Sequence, residues 1–294
     1  MNNVKYDKWV NQVPKSVISK TEVANYFNDT ISLYAALSKD HVHHGLWDEL
    51  TNNYKDAVLN TTKIVVDSLG ITNGDIVLDA GCGVGGSCRF IVSKYDAKTI
   101  GITLSESHLK KAQELSLNTK NSNLMEFQKQ DFTKTTFPDE SFTKIFALES
   151  SSHVSNQEKI KLIQEAYRLL KKGGKFVILD GFRIRLDLDR EEQKIYDEFL
   201  IGLAVAEFDT KESFTNKLQQ AGFKNIIYQD KKEEVLKTTM YIYKKGKRWH
   251  RISWLLSNLR LIPNSWHGTI VSCIREKKLF EKNLGTYGLF VSEK

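Results

Sequence analysis

Three short stretches hold the residue types that chemistry needs. "HVHHGLW", residues 41–47, places three of the chain's seven histidines within four positions, ahead of Trp47. "ESSSHV", residues 149–154, sets Glu149 and His153 four positions apart. "LDAGCGVGGS", residues 78–87, packs four glycines behind Asp79, in a chain with only 17 glycines over 294 residues. An imidazole titrates near neutrality and can take or give a proton there. His43, His44, Glu149 and His153 are therefore the candidate acid–base groups, and His153 is the first choice. Its alternative role is that of a hydrogen-bonded core histidine. The histidine cluster is a poor metal site, because no second cluster with carboxylates stands at ligand spacing. Two readings of that cluster stay open. It is a structural loop whose histidines cap helix ends, or a lid loop with Trp47 as a face for a cation or ring.

The glycine cluster reads as a ligand loop, since glycine allows positive φ and close approach. Gly81, Gly83 and Gly86 satisfy G-x-G-x-x-G, a pattern dinucleotide enzymes share. Two residues argue for a different ligand. Asp79, two positions before the first glycine, suits a ligand carrying an ammonium group rather than a pyrophosphate. Thr103 stands where a dinucleotide site usually carries an acid. Both favour S-adenosylmethionine. The plain alternative is a turn that only packs helix on strand. Cys82 and Cys88 lie in this loop and in the helix after it, which leaves no redox role, and with Cys273 they show no zinc-type pairing.

These residues need elements to hold them. "DIVLDA", "KTIGITL", "LMEFQKQD", "SFTKIFALES" and "GGKFVILDGF" read as strands, each followed by a helical pattern or turn. "KNIIYQD" is a sixth strand and "NLGTYGLFVSEK" a closing one. Strands alternating with helices predict an α/β fold, here a Rossmann-like, seven-stranded, mostly parallel sheet with helices on both faces. The expected organisation is a core of 54–234 and 284–294. A helical lid segment over 1–53 and a helical lid insertion over 235–283 flank it. "ISLYAALSKDHVHHGLW" lies between helical patterns. Tyr26, Phe27, Tyr34 and Trp47 line a substrate cavity or are plain core.

Composition is that of an ordinary soluble chain, with 40% hydrophobic and 27% charged residues. No stretch reaches the roughly 20 apolar residues a bilayer span needs. "MNNVKYDKWVNQVPKS" has no apolar leader core, so a cytoplasmic location is expected. The net charge of +7 is uneven: "KKGKRWHR", residues 244–251, carries five Lys or Arg and no acid. It reads as a solvated turn, or as a contact with anionic lipid or a negative substrate group. No nucleic-acid-binding module is present. In "RWHRISWLLSNLRLI", Trp249, Ile252, Leu256 and Leu259 share a helical face, with Leu255 beside it and Arg248 and Arg251 at the edge. That helix is a lid packed on the sheet domain or a helix resting on a membrane, and both readings imply an apolar acceptor.

The successive stretches "VLDAGCGVGG", "GITLSESHLKKAQE", "QDFTKTTFPDESFTKIFALESSSHV" and "EAYRLLKKGGKFVILDGF" resemble the motifs of class I S-adenosylmethionine-dependent methyltransferases, over roughly residues 25–230. "HVHHGLW", "GITLS" and "ESSSHV" are similar to a narrower group, which holds tocopherol and sterol C-methyltransferases and cyclopropane fatty acid synthases. The final fifty residues match less well. The resemblance implies that Asp79, Gly81, Cys82, Gly83 and Gly85 line the methionine portion of S-adenosylmethionine. It implies that Thr103 and Leu104 lie beside the ribose, that Asp131 and Phe132 approach the adenine, and that Glu149 and Ser150 lie next to the sulfonium.

The expected activity is methyl transfer to a small, largely apolar acceptor of the terpenoid, prenylated-aromatic or alkaloid-like kind, with carbon the favoured atom. His153, Glu149 and His44 are the expected catalytic groups, and Tyr26, Tyr34, His43 and Trp47 the expected substrate contacts. N- or O-methylation of a small polar amine or phenol is the alternative. A non-catalytic, cofactor-binding partner subunit is another, and a dinucleotide oxidoreductase a distant third.

Overall fold

The computed structural model describes residues 18–37 and 41–294. The stretch read for a leader, and the first seventeen residues of the expected lid segment, lie outside the described residues. The described chain opens with α1 (Lys20–Leu37) and α2 (Tyr54–Leu69). The alternating core follows as β1 (Ile76–Ala80), α3 (Gly86–Lys94), β2 (Lys98–Thr103), α4 (Glu106–Ser116), β3 (Met125–Lys129), β4 (Phe142–Leu148), α5 (Asn156–Leu169) and β5 (Leu170–Arg183). Then come α6 (Arg190–Gly202), α7 (Lys211–Ala221), β6 (Lys224–Asp230), α8 (Lys232–Asn258), α9 (Asn264–Glu281) and β7 (Gly285–Glu293).

The seven strands form one sheet in the order β3-β2-β1-β4-β5-β7-β6. Strands β1 to β5 pair in parallel. Only β7 runs antiparallel, wedged between β5 and β6. Period-two alternation explains why the strands read as continuous apolar runs. Phe176, Ile178 and Phe182 of β5 face one core with α5 and α7, while Val177 and Leu179 face the other with α2. The order reverses between β1 and β4. A crevice therefore opens at their carboxyl ends, where an open α/β sheet binds ligands.

Two expectations are corrected here. Helix α1 runs through "ISLYAAL" rather than ending before it, because Ile31, Leu33 and Tyr34 continue its partly buried face without a glycine or proline to stop it. "KKGKRWHR" is not a turn. It lies in the middle of the 27-residue helix α8, whose i→i−4 hydrogen bonds Gly246 does not interrupt.

Candidate functional site

A cleft opens at the tips of β1, β2 and β4. Gly81, Gly83, Thr103, Leu104, Phe132, Glu149 and Ser150 all line it, together with Phe27 of α1 and His108 of α4. At Gly81 (φ +106°) a Cβ would strike the Ser150 side chain at 2.4 Å, so only glycine lets the ends of β1 and β4 meet. At Gly83 (φ +49°) the nearest atom to a Cβ would be Val42 at 3.7 Å, an ordinary contact, so the positive φ rather than crowding calls for glycine there.

The cleft has groups suited to S-adenosylmethionine. His108 Nε2 is buried with no partner among the described residues, and burial pushes that imidazole down to about 4. It is thus neutral, with a polar atom left for a ligand. Asp79 lies buried beneath the loop. The Cys88 thiol donates to it at 3.5 Å, and burial lifts its carboxyl to about 7. A nearby ligand cation would restore the carboxylate.

Four of the expected cofactor residues stand off the cleft wall. Asp79 is one. The Cys82 side chain turns inward against Gly101, and Gly85 faces the ring of Phe127. Both positions serve packing of the loop on β2 and β3. The Asp131 carboxylate, expected to be open to adenine, is already held. Lys20 Nζ of α1 donates to Oδ2 at 2.7 Å, and the Thr133 amide and hydroxyl donate to Oδ1 at 2.9 and 2.8 Å.

A second cavity adjoins the cleft and shares Phe27, Val42, Glu149 and His153 with it. Tyr34, Phe199, Leu203, Phe208, Ile242 and Phe280 make its walls mainly apolar, and no Lys or Arg among the described residues lines it. One end is polar. The His44 amide donates to Glu149 at 2.7 Å, and His44 Nδ1 lies 3.0 Å from both Glu149 oxygens. His44 Nε2 lies 3.0 Å from Glu276, which accepts from the Thr239 hydroxyl at 2.6 Å. The Tyr287 hydroxyl donates to Glu149.

Burial alone would lower His44, but the two carboxylates outweigh it and hold the imidazolium well above its usual range. Burial alone would raise Glu149, but His44 outweighs it and holds the carboxyl at about 2. One imidazolium between two carboxylates leaves this end with a negative charge in excess. Glu149 sits at φ +48°, a left-handed backbone uncommon for a non-glycine residue.

His153 stands at the junction of cleft and cavity, on a short 3₁₀ turn after β4. Its Nδ1 lies 2.8 Å from the Ala204 carbonyl, which can only accept. The proton is therefore on Nδ1 and the lone pair on Nε2. Burial lowers this histidine, so it is neutral near pH 7. Asp180 fixes the turn, accepting from the Ser151 hydroxyl at 2.7 Å and the Ser152 amide at 3.0 Å. Tyr34 and His43, two of the expected substrate contacts, line the cavity.

Two expected contacts need correcting. The Tyr26 hydroxyl turns to Tyr34 and Thr269 behind the wall. Trp47 points away, its indole N–H donating to Thr238 of α8 at 3.0 Å. Asp180, Glu276, Tyr287, His108 and Lys20 were not legible as site residues. Of these, only "VILDGF" held a local signal, an acid at a strand tip.

Among known proteins, the family described as mycolic acid cyclopropane synthetase matches residues 33–229. The chloroplastic tocopherol O-methyltransferase of Arabidopsis thaliana is 27% identical over 261 residues, covering 83% of this chain and 74% of the relative. Phosphoethanolamine N-methyltransferase of Triticum aestivum is 32% identical over 181 residues, 61% of this chain but only 34% of the relative's own length. The solved structure of a cyclopropane synthase from Mycobacterium tuberculosis has a TM-score of 0.80 at 14% identity, over 95% of this chain and 99% of its own. At that identity the likeness is one of fold.

Proposed function

The chain belongs to the mycolic acid cyclopropane synthetase family and is an S-adenosylmethionine-dependent methyltransferase, and from that premise we propose that it methylates a small apolar acceptor at carbon. The observation that carries this reading is the cavity itself: apolar walls, one end with excess negative charge, and a neutral imidazole where cavity meets cleft.

The cofactor supplies an activated methyl group. The protein's part is positioning, charge and a proton acceptor. Aromatic and aliphatic walls take an apolar molecule out of water and hold it against the cleft. An alkene or aromatic carbon that accepts a methyl group becomes cationic. The Glu149–His44–Glu276 wall favours that charge as it develops. His153 Nε2 is in the state needed to take up the proton that restores neutrality. A phenolate acceptor would bring a negative charge against two carboxylates. A phosphorylated amine, the substrate in the wheat relative's name, would also bring its phosphate to a wall where the described residues include no Lys or Arg.

The same negative wall supports one second reading, N-methylation of a lipophilic amine that arrives neutral. The test is an acceptor panel with labelled donor, comparing terpenoid olefins and prenylated aromatics with phosphoethanolamine and small polar amines. Mass detection finds the product and NMR finds the labelled atom. The expected result is label on a carbon of an apolar acceptor. Turnover confined to polar amines would overturn the proposal.

A further inference from the structure

The apolar face of α8 is not the face that packs. Val235, Thr238, Thr239, Ile242, Gly246 and Ser253 are buried against the rest of the molecule. On the other side, toward the free end of the α8–α9 hairpin, Trp249 is 53% exposed, Leu255 50%, Leu259 58% and Leu261 67%. Ile252 and Trp254 are exposed beside them. The hairpin's own charge over this stretch is one-sided, with Asp29 of α1 the acid bonded at its end, to Ser265. Residues 235–275 hold eight Lys or Arg and no Asp or Glu, more positive charge than the +7 net of the whole chain. Lys244, Lys247, Arg248, Arg251 and Arg260 are all exposed and form no ion pair among the described residues.

Basic and apolar side chains alternate along this end: Lys244, Lys247 and Arg248 precede the stripe, Arg251 follows Trp249, and Arg260 lies between Leu259 and Leu261. From Ile252 to Leu259 the apolar stripe runs about 10 Å along the axis at 1.5 Å per residue. A helix lying in the interface sinks such an apolar face roughly 5–10 Å into the boundary of headgroups and acyl chains. Tryptophan favours that same boundary. The hairpin is also anchored. The Trp266 indole donates to the Asp29 carbonyl of α1 at 2.7 Å, so the exposed end is held on the body. None of the described helices is long and apolar enough to cross a membrane.

We propose that the free end of the α8–α9 hairpin docks on an anionic lipid surface, its leucines and tryptophans entering the acyl boundary and its lysines and arginines meeting the headgroups. Charge complementarity chooses this occupant over a second copy of the chain. An isologous pairing of this patch would bring two unpaired basic clusters together. The hairpin also lines the acceptor cavity with Val235, Ile242, Thr269, Cys273, Glu276 and Phe280. Docking thus sets that cavity beside the bilayer.

The test is co-sedimentation of the full chain with phosphatidylcholine vesicles, with and without phosphatidylglycerol. Vesicle binding is read without turnover, so its failure would leave the acceptor reading standing. Binding should be roughly tenfold tighter or more to the anionic vesicles, and high salt should weaken it. Leu255→Ser with Leu259→Ser should lower it by roughly tenfold or more. Arg248→Gln with Arg251→Gln should abolish the preference for anionic lipid. All four side chains are exposed, so the melting temperature should not move. The proposal is overturned if the chain ignores anionic vesicles, or if both variants bind like the parent. It is also overturned if the protein is a dimer that the leucine variant makes monomeric without lipid, or if duplex DNA binds tighter than anionic vesicles.

Discussion

His153 and His44 stand within one site, yet their surroundings put them in opposite states. His44 lies between Glu149 and Glu276, and both of its ring nitrogens are taken. Expected to be a catalytic base, it is instead a fixed cation with no lone pair to offer. Glu149, also expected to be catalytic, is held at about 2 and is a weak base at neutral pH. His153 keeps its lone pair on Nε2, which has no partner among the described residues, because the Ala204 carbonyl fixes the proton on its other nitrogen. His153→Ala should therefore lower turnover on a carbon acceptor by roughly 10²-fold while cofactor affinity stays nearly normal. In the parent, activity should hold near pH 7 and fall as acid protonates this ring, at a pH below the ordinary histidine value because burial lowers it. Steady-state kinetics across pH with calorimetric cofactor binding checks both. Near-normal turnover of the variant would remove His153 as the base and favour the amine reading.

Several side chains hold helix α1 over the cleft. The Asn28 side-chain oxygen accepts from the Ser105 hydroxyl at 2.8 Å and the Ser107 amide at 3.2 Å, and Lys20 adds a third tie. Lys20 Nζ lies 2.7 Å from Asp131, 2.8 Å from the Thr133 hydroxyl and 2.9 Å from Glu158. It thus ties α1 to the end of β3 and to α5. The same helix brings Phe27 to the boundary of cleft and cavity, where its ring meets His153 edge-on at 4.9 Å. The lysine is about one-third exposed, so each ion pair is worth at most about 1 kcal/mol. Lys20→Ala should leave the fold intact and speed cofactor dissociation a few-fold, roughly the factor that 1 kcal/mol gives. Stopped-flow displacement measures this. An unchanged off-rate would show that α1 stays closed without the lysine.

For the whole molecule, buried histidines set the response to acid. Burial pushes His41 to about 3 and His108 to about 4, below an unfolded value near 6.5. The native state keeps them neutral while the unfolded chain takes up protons. Their contribution is therefore complete above pH 6.5 and lost as pH falls toward the folded values, about 2 kcal/mol for each at pH 5. Asp79, raised to about 7, acts in the opposite sense and returns stability as pH falls from 7 toward 4. Glu149, held at about 2, contributes fully above about 4.5 and so stays constant here. The melting temperature of the cofactor-free protein should fall between pH 6.5 and 5. It should fall more steeply in Asp79→Asn, where the opposing carboxyl is gone. A rise on acidification would show that Asp79 outweighs the histidines.

Local pattern alone determined the seven strands, their helices, and the glycine loop with its carboxylate. It also determined the position of Glu149 and His153 after the fourth strand. Each is written within a few residues by the 2.0 and 3.6 periods and by glycine's backbone freedom. What lay beyond local pattern was partnership at a distance. Glu276 meets His44 across 232 positions, Tyr287 meets Glu149 across 138, and Lys20 meets Asp131 across 111. No periodicity connects residues so far apart; packing chooses them. Facing was undecided for the same reason. Trp47 reads like a cavity wall until α8 offers Thr238 on the other side. The apolar stripe of α8 reads like a packing face until small residues, Gly246 and Ser253, take the contact. A side chain's type is a property of the sequence, but the neighbour it meets is decided by how the elements stack.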